Sequence, residues 1–409
     1  MKKLLGITLG IMTALGGFVD LGQIVFTMQA GALFGYGLLW AIVLGTGAII
    51  VYMEMCGRVA VVAHEPVFAI VRDRFGSRFG LVVLIASNLL NLVTCAAELG
   101  GIAIILQLLI GWKQKLLLLS AATVLGIIIF GFKFQWIERT FGLAGVTMTV
   151  FAVSAAALHP DWHQLARGLV PTVTHTKGTL LYWYFAVGIF SALLMEYEVH
   201  FYSSGAMEED WTTRDLGENF AVAAFGSLLG AVITIGLLAL GALVFLPREI
   251  FPNTLSTTMI AGAFPFATKA LVLALLGTLA CLCGAALETA LSGAYNVCQF
   301  FNLNWGKNLP VKSAPFYTAA WIAMLTVAFV IAISGLRPLM LVNISVIFGM
   351  VVMPFTYYPI LRVAADKNIM GKHVNSRADT TIAIVCLILI CIAATAAIPL
   401  MALTHSGKP

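Results

Sequence analysis

Asp20 is a carboxylate inside an apolar run, Leu4 to about Met28, with Gly16, Gly17 and Gly22 around it. A charged side chain near the middle of a spanning helix costs about 2.5–3.5 kcal/mol on insertion scales, so it marks a functional site by default. The glycines are where such a helix can unwind. A broken helix that offers a carboxylate and free backbone carbonyls at mid-membrane can hold a cation. Other acids also lie inside apolar runs. Glu98 ends Thr94-Cys-Ala-Ala-Glu98, and Glu196 and Glu198 flank Tyr197 directly after Met195. Glu54 stands four residues before Arg58, which favours an ion pair along one helix face. Glu288 is expected to pack against a polar helix face.

Composition fixes the class of element that must carry these groups. Hydrophobic residues make up 61% of the chain and charged residues 10%, where soluble domains carry about 25% charge. The mean hydropathy is +1.00. No cleavable signal peptide is expected, because the run behind Met1-Lys2-Lys3 is long and lacks a small-residue cleavage site. The net charge of +5 follows from membrane topology and calls for no nucleic acid. Seven cysteines, mostly inside apolar runs, have no metal-finger spacing, and an odd number argues against a disulfide framework.

A spanning helix needs about 20 apolar residues. That ruler predicts eleven spans, at about 4–28, 36–57, 79–110, 115–132, 141–158, 180–206, 220–246, 268–298, 316–334, 338–362 and 380–403, in one transmembrane domain covering 1–409. Polar connections are expected at His64 to Arg78, Lys133 to Arg139, His159 to Lys177, Glu208 to Glu218, Phe300 to Lys312 and Ala364 to Asp379. With the N-terminus inside, fifteen Lys and Arg fall on the inner side and eight on the outer. This asymmetry predicts a cytoplasmic N-terminus and, with an odd number of spans, a C-terminus outside. The first and sixth spans lie five helices apart and each has an acid near its midpoint. That pattern fits two inverted five-helix repeats, about 4–158 and 180–362, with a substrate between them and the eleventh span, about 380–403, added.

The segment Val19-Asp-Leu-Gly-Gln-Ile-Val-Phe-Thr-Met-Gln-Ala-Gly-Ala-Leu-Phe-Gly-Tyr-Gly-Leu-Leu-Trp40 resembles the Nramp divalent-metal transporters. Their first-helix signature is Asp-Pro-Gly-Asn. Asp20 and Gly22 keep it, while Leu21 replaces Pro and Gln23 replaces Asn. Ala186-Val-Gly-Ile-Phe-Ser-Ala-Leu-Leu-Met195 is similar to the approach to that family's Met-Pro-His. Met195 matches Met, with Glu196 at Pro and Tyr197 at His. Thr94-Cys-Ala-Ala-Glu98 resembles Thr-Asp-x-x-Glu, with Cys95 at Asp. Met353-Pro-Phe-Thr-Tyr-Tyr-Pro359 and Asn368-Ile-Met-Gly371 resemble the tenth helix and the loop after it. The resemblance implies an all-α, eleven-helix, five-plus-five inverted-repeat (LeuT-type) fold with helices 1 and 6 broken. It also implies a secondary transporter that moves a divalent metal by alternating access. Its ligands would be Asp20, Gln23, Met195 and the Ala192 carbonyl.

The donor set is chemically coherent on its own terms. Carboxylate and amide oxygens suit Mn²⁺ or Fe²⁺, and a thioether favours transition metals over Mg²⁺ and Ca²⁺. Glu98, Glu196, Tyr197 and Glu198 are candidates for additional metal or proton sites, and added carboxylates could move selectivity toward Mg²⁺. Cys95 and Tyr197 stand where the resembled family places a titratable Asp and His. Neither titrates readily near neutral pH, so proton coupling is expected to be weak or absent. The competing reading is a transporter of the same fold for an amino acid or amine; a sensor or receptor ranks lower. An enzyme ranks lowest, since no hydrolase or intramembrane-protease motif is present. The expected partners are the metal ion, protons if coupling exists, and the lipid bilayer of a bacterial-type cell membrane. No cofactor is expected beyond the transported ion, and nothing in the sequence sets an oligomeric state.

Overall fold

The computed structural model describes residues 19–172, 178–262, 264 and 266–407. Gly16, Gly17, Lys2 and Lys3 and most of the first expected span lie outside them. The order is α1 (Leu21–Phe34), α2 (Leu39–Ala63), α3 (Val67–Ile110), α4 (Gln114–Gly131), α5 (Phe134–Ala157), then α6 in two pieces, α6a (Thr179–Ala192) and α6b (Glu196–Glu208). There follow α7 (Leu216–Arg248), α8 (Ala267–Phe300), α9 (Pro315–Ile333), α10 (Pro338–Ala364) and α11 (Arg377–Leu403). Among the described residues ten spans are long and apolar enough to cross a membrane, and the short α1 is apolar as well.

Burial sorts the helices. Among the ten long spans the two halves of α6 together are the most buried, while α4, α9 and α11 turn most of their surface outward. Long α3 and α8 pack along each other, and α10 lies against α3 and α11. α1 is held between α6a, α7 and α10. Close approach of α1 to α7 depends on two glycines. A Cβ at Gly31 would run into the Leu238 carbonyl oxygen, and one at Gly241 would meet the carbonyl of Met28. At that crossing α7 loosens into a π turn, Gly241–Phe245.

Two boundaries differ from expectation. The stretch from His64 to Arg78, expected as a connection, is helical from Val67 and kinks at Gly76 (φ 78°, ψ 159°). That left-handed glycine turns the first segment back along α3, so a Cβ at Gly80 would meet the Arg72 backbone at 3.2 Å. Arg72 then donates to the carbonyl of Phe300 at the end of α8 (2.8 Å). The second difference is α5, which begins at Phe134 rather than 141 because Phe134 is buried and stacks on Phe201 (5.2 Å). The expected Glu54–Arg58 pair is present at 2.7 Å. The same guanidinium reaches the His373 carbonyl and the Asn375 side chain (both 2.6 Å), which ties α2 to the segment before α11.

Gly31→Val should overpack the α1–α7 crossing. The expected loss is about 1–3 kcal/mol, the usual cost of forcing extra methyl groups into a packed core. Thermal unfolding in detergent reads it. Gly47→Val is the control, since a Cβ at Gly47 meets nothing within 4 Å, and it should leave the midpoint unmoved.

Candidate metal site

α1 starts at Leu21 because Asp20 stops it from extending further back. Asp20 is in extended conformation (φ −66°, ψ 175°), and its Oδ1 accepts the Gln23 N–H at 2.7 Å as an N-cap. The Leu21 N–H is satisfied from another helix: Glu98 Oε1 of α3 accepts it at 3.1 Å. Val342 and Val346 of α10 close over Gly22, where a Cβ would stand 3.1 and 3.0 Å from their methyl groups. Asp20 is thereby fixed and buried at the positive end of α1, where the helix dipole favours an anion.

One turn into α1, the Gln23 amide is also aimed. Its Nε2 donates to Thr27 Oγ1 at 3.0 Å, which leaves Gln23 Oε1 buried without a partner. An unpaired buried acceptor costs about 1–3 kcal/mol, so this oxygen is poised for a cation. Thr27 was passed over in the sequence, although its i+4 spacing from Gln23 could have pointed to it.

The second half of the site comes from the interruption of α6. α6a ends at Ala192, and Met195 (φ −66°, ψ 121°) leads into α6b. Among the described residues no backbone N–H outside a helix donates to the Ala192 carbonyl. Two side chains pin the ends of the break. Ser191 Oγ donates to the Val346 carbonyl on α10, and Ser292 Oγ of α8 donates to the Tyr197 carbonyl at 2.8 Å. Neither serine was singled out in the sequence. Tyr197 OH lies 3.5 Å from Asp20 Oδ2, at the outer limit of a hydrogen bond, and so joins α6b to the start of α1. Met195 is 5% exposed and Asp20 1% exposed.

The remaining candidates separate by surroundings. Glu98 has one oxygen on Leu21 and the other without a partner. Glu198 and Glu288 are fully buried with all four carboxyl oxygens unpartnered. Glu288, expected to be packed structurally, thus has no polar partner on the helices around it. Cys95 points its thiol at the Ala286 carbonyl (3.6 Å), on α8. No group of three His, Cys, Asp or Glu side chains among the described residues is arranged to hold a metal. An ion at the break must therefore use mixed donors. A carboxylate oxygen, an amide oxygen, a carbonyl and a thioether suit a first-row transition metal, since the sulfur disfavours Mg²⁺ and Ca²⁺.

The fold and the motif order have counterparts among known proteins. The chain is 27% identical over 392 residues to the divalent metal cation transporter MntH of Pediococcus pentosaceus, covering 90% of this chain and 85% of that one. A match to the MntH of Agrobacterium fabrum is 29% identical but spans 52% of this chain and only 45% of that protein. The structure of the Eremococcus coleocola manganese transporter in complex with an aromatic bis-isothiourea substituted compound superposes with a TM-score of 0.76. It covers 100% of this chain and 89% of that one at 20% identity. Mhp1, a nucleobase-cation-symport-1 family transporter with the LeuT-type fold, superposes with a TM-score of 0.56 over 99% of this chain and 93% of its own, at 16% identity. The MntH relatives and the Eremococcus coleocola protein are named as metal-ion transporters rather than enzymes. The model described as natural resistance-associated macrophage protein-like matches residues 10–399, and with that reach, nearly end to end, the chain belongs to the Nramp family.

Proposed function

We propose that this membrane protein carries a divalent transition-metal ion of the Mn²⁺/Fe²⁺ class across the bilayer by alternating access. The ion is held by Asp20, Gln23, Met195 and the Ala192 carbonyl. One observation carries this reading. Among the described residues, Gln23 Oε1 at the start of α1 is buried without a hydrogen-bond partner and no backbone N–H from outside a helix reaches the Ala192 carbonyl at the break in α6, and Tyr197 joins the two places. The manganese and divalent-metal names of the relatives agree with it. Each interrupted helix belongs to one of two inverted repeats, about 4–158 and 180–362, which rock about the site. The Lys and Arg asymmetry supports a cytoplasmic N-terminus and an outer C-terminus.

Metal flux is weakly coupled to protons or uncoupled. Two features support this. Cys95 is turned toward the Ala286 carbonyl, and Glu98 is committed through one oxygen to the backbone of α1. A relay needs groups that gain and lose protons within hydrogen-bond reach of each other, and this pair does not supply one.

In proteoliposomes, Asp20→Ala should abolish Mn²⁺ uptake while the protein stays monodisperse. In the parent protein an internal pH dye should show no acidification that tracks uptake. Undiminished uptake by Asp20→Ala, or acidification in step with Mn²⁺ that disappears in Glu98→Gln, would contradict the proposal.

Met195→Ala removes the soft donor and keeps the oxygens. Competition by Cd²⁺ should weaken by roughly 10- to 100-fold, the range seen when groups supporting a metal are lost, and Mn²⁺ transport by much less. Equal losses for both metals would assign Met195 to packing.

A further inference from the structure

Glu196 and His200 stand at i and i+4 on α6b, a spacing that places two side chains on one face, about 6 Å apart along the axis. Both are buried, at 4% and 1% exposure. Neither oxygen of Glu196 and neither ring nitrogen of His200 has a hydrogen-bond partner. Ser203, on the same face, is buried with an unpartnered hydroxyl. Across from this face runs a matching stripe on α3. Ser87 and Thr94, seven residues apart and so on one side of that helix, are buried with unpartnered hydroxyls. The faces meet: Ser87 sits beside the Glu196 carboxyl without closing a hydrogen bond of normal geometry. The His200 ring stands edge-on to Phe68, 5.1 Å between centroids, on the re-entrant segment before Gly76.

This is an unusual concentration of buried polar atoms. Each one left unsatisfied costs about 1–3 kcal/mol, and native structures carry few without a water, ion or functional reason. A carboxylate and an imidazole four residues apart could pair with each other, yet they do not. A cation between them would satisfy both. Carboxylate, imidazole and hydroxyl donors suit borderline first-row metals such as Mn²⁺, Fe²⁺, Co²⁺ and Zn²⁺, and the imidazole disfavours Mg²⁺ and Ca²⁺.

We propose that Glu196 and His200, assisted by Ser87, form a second transition-metal site between α3 and α6b. It lies next to Met195 and one turn further along α6b, so it receives the ion as it leaves the Asp20–Met195 site. Phe68 closes its far side. The proposal rests on the Asp20–Met195 reading for its place in transport, but its existence is tested separately.

The probe is Co²⁺, with the purified full chain in detergent, by equilibrium dialysis and X-ray absorption at the cobalt edge. The main site contains no histidine, so imidazole scattering reports the second. The parent protein should bind two ions, with imidazole scattering. Asp20→Ala should keep one ion and the imidazole signal. His200→Leu should keep one ion and lose that signal. Glu196→Gln, which preserves shape, should weaken the second ion by at least about tenfold, the lower bound for loss of a group supporting a metal. Retention of the first ion in either α6b variant also shows that it is folded. Cobalt bound by the parent protein without imidazole scattering, or imidazole scattering that persists in His200→Leu, would overturn the proposal. Failure of the Asp20 site alone would appear differently, as binding unchanged by Asp20→Ala with the His200-dependent ion still present.

Discussion

Backbone that leaves the helix inside a membrane must have its polar groups satisfied by the protein, because the hydrocarbon offers nothing. Here that constraint falls on the start of α1 and on the break in α6. At α1 a single long-range contact meets it: the Glu98 carboxylate on α3 accepts the N–H of Leu21. Asp20 accepts the N–H of Gln23, two residues further on. Among the described residues, what remains is the Gln23 amide oxygen without a partner, a second Asp20 oxygen held only by the long contact from Tyr197 OH (3.5 Å), and an Ala192 carbonyl that no backbone N–H from outside a helix reaches. A surplus of buried acceptors is a demand for a cation. The charge distribution of the site follows from how the backbone was satisfied, not from a cluster of acids that happens to meet.

The same bonds tie the site to the elements around it. α3 holds α1 through Glu98, α8 holds α6b through Ser292, and α10 holds α6a through Ser191. The valines that shut on Gly22 come from α10 as well. A shift of α1 and α6 against α3, α8 and α10 must break or carry these contacts, so an ion that binds one arrangement better than the other would shift the helices toward it. On the face where α2 ends, Arg58 and the Glu208 carboxylate tie loops together. Glu208 accepts from Tyr295 OH at 3.0 Å and from backbone N–H groups of Lys307 and Asn308.

Much of this was legible in the residues. Long apolar runs gave the order of the helices and the ten long spans among the described residues, because a spanning segment must be about as long as the bilayer is thick. Asp20 and the Met195 region stood out because charge inside such a run is costly. The break at 193–195 followed from the resemblance rather than from local signals, since no proline or glycine lies within it. What escaped was tertiary. Nothing near Glu98 says that it caps a helix 77 residues away. Polarity hid the helical start of α3, because Arg72 and its neighbours read as a loop until Gly76 folds them back. His200 drew no notice, since a histidine in an apolar helix is ordinary until its nitrogens are found without partners. Thr27, Ser191 and Ser292 are small polar residues common in membrane helices, and only their partners give them roles.

The central claim is that one dehydrated ion sits where the start of α1 faces the break in α6. Crystals of the full chain soaked in Mn²⁺ and measured above and below the manganese absorption edge test it most directly. An anomalous peak within coordination distance of Asp20 Oδ2, Gln23 Oε1, the Met195 sulfur and the Ala192 carbonyl is the predicted result. Manganese peaks confined to other parts of the molecule, with those four donors empty at saturating Mn²⁺, would contradict it.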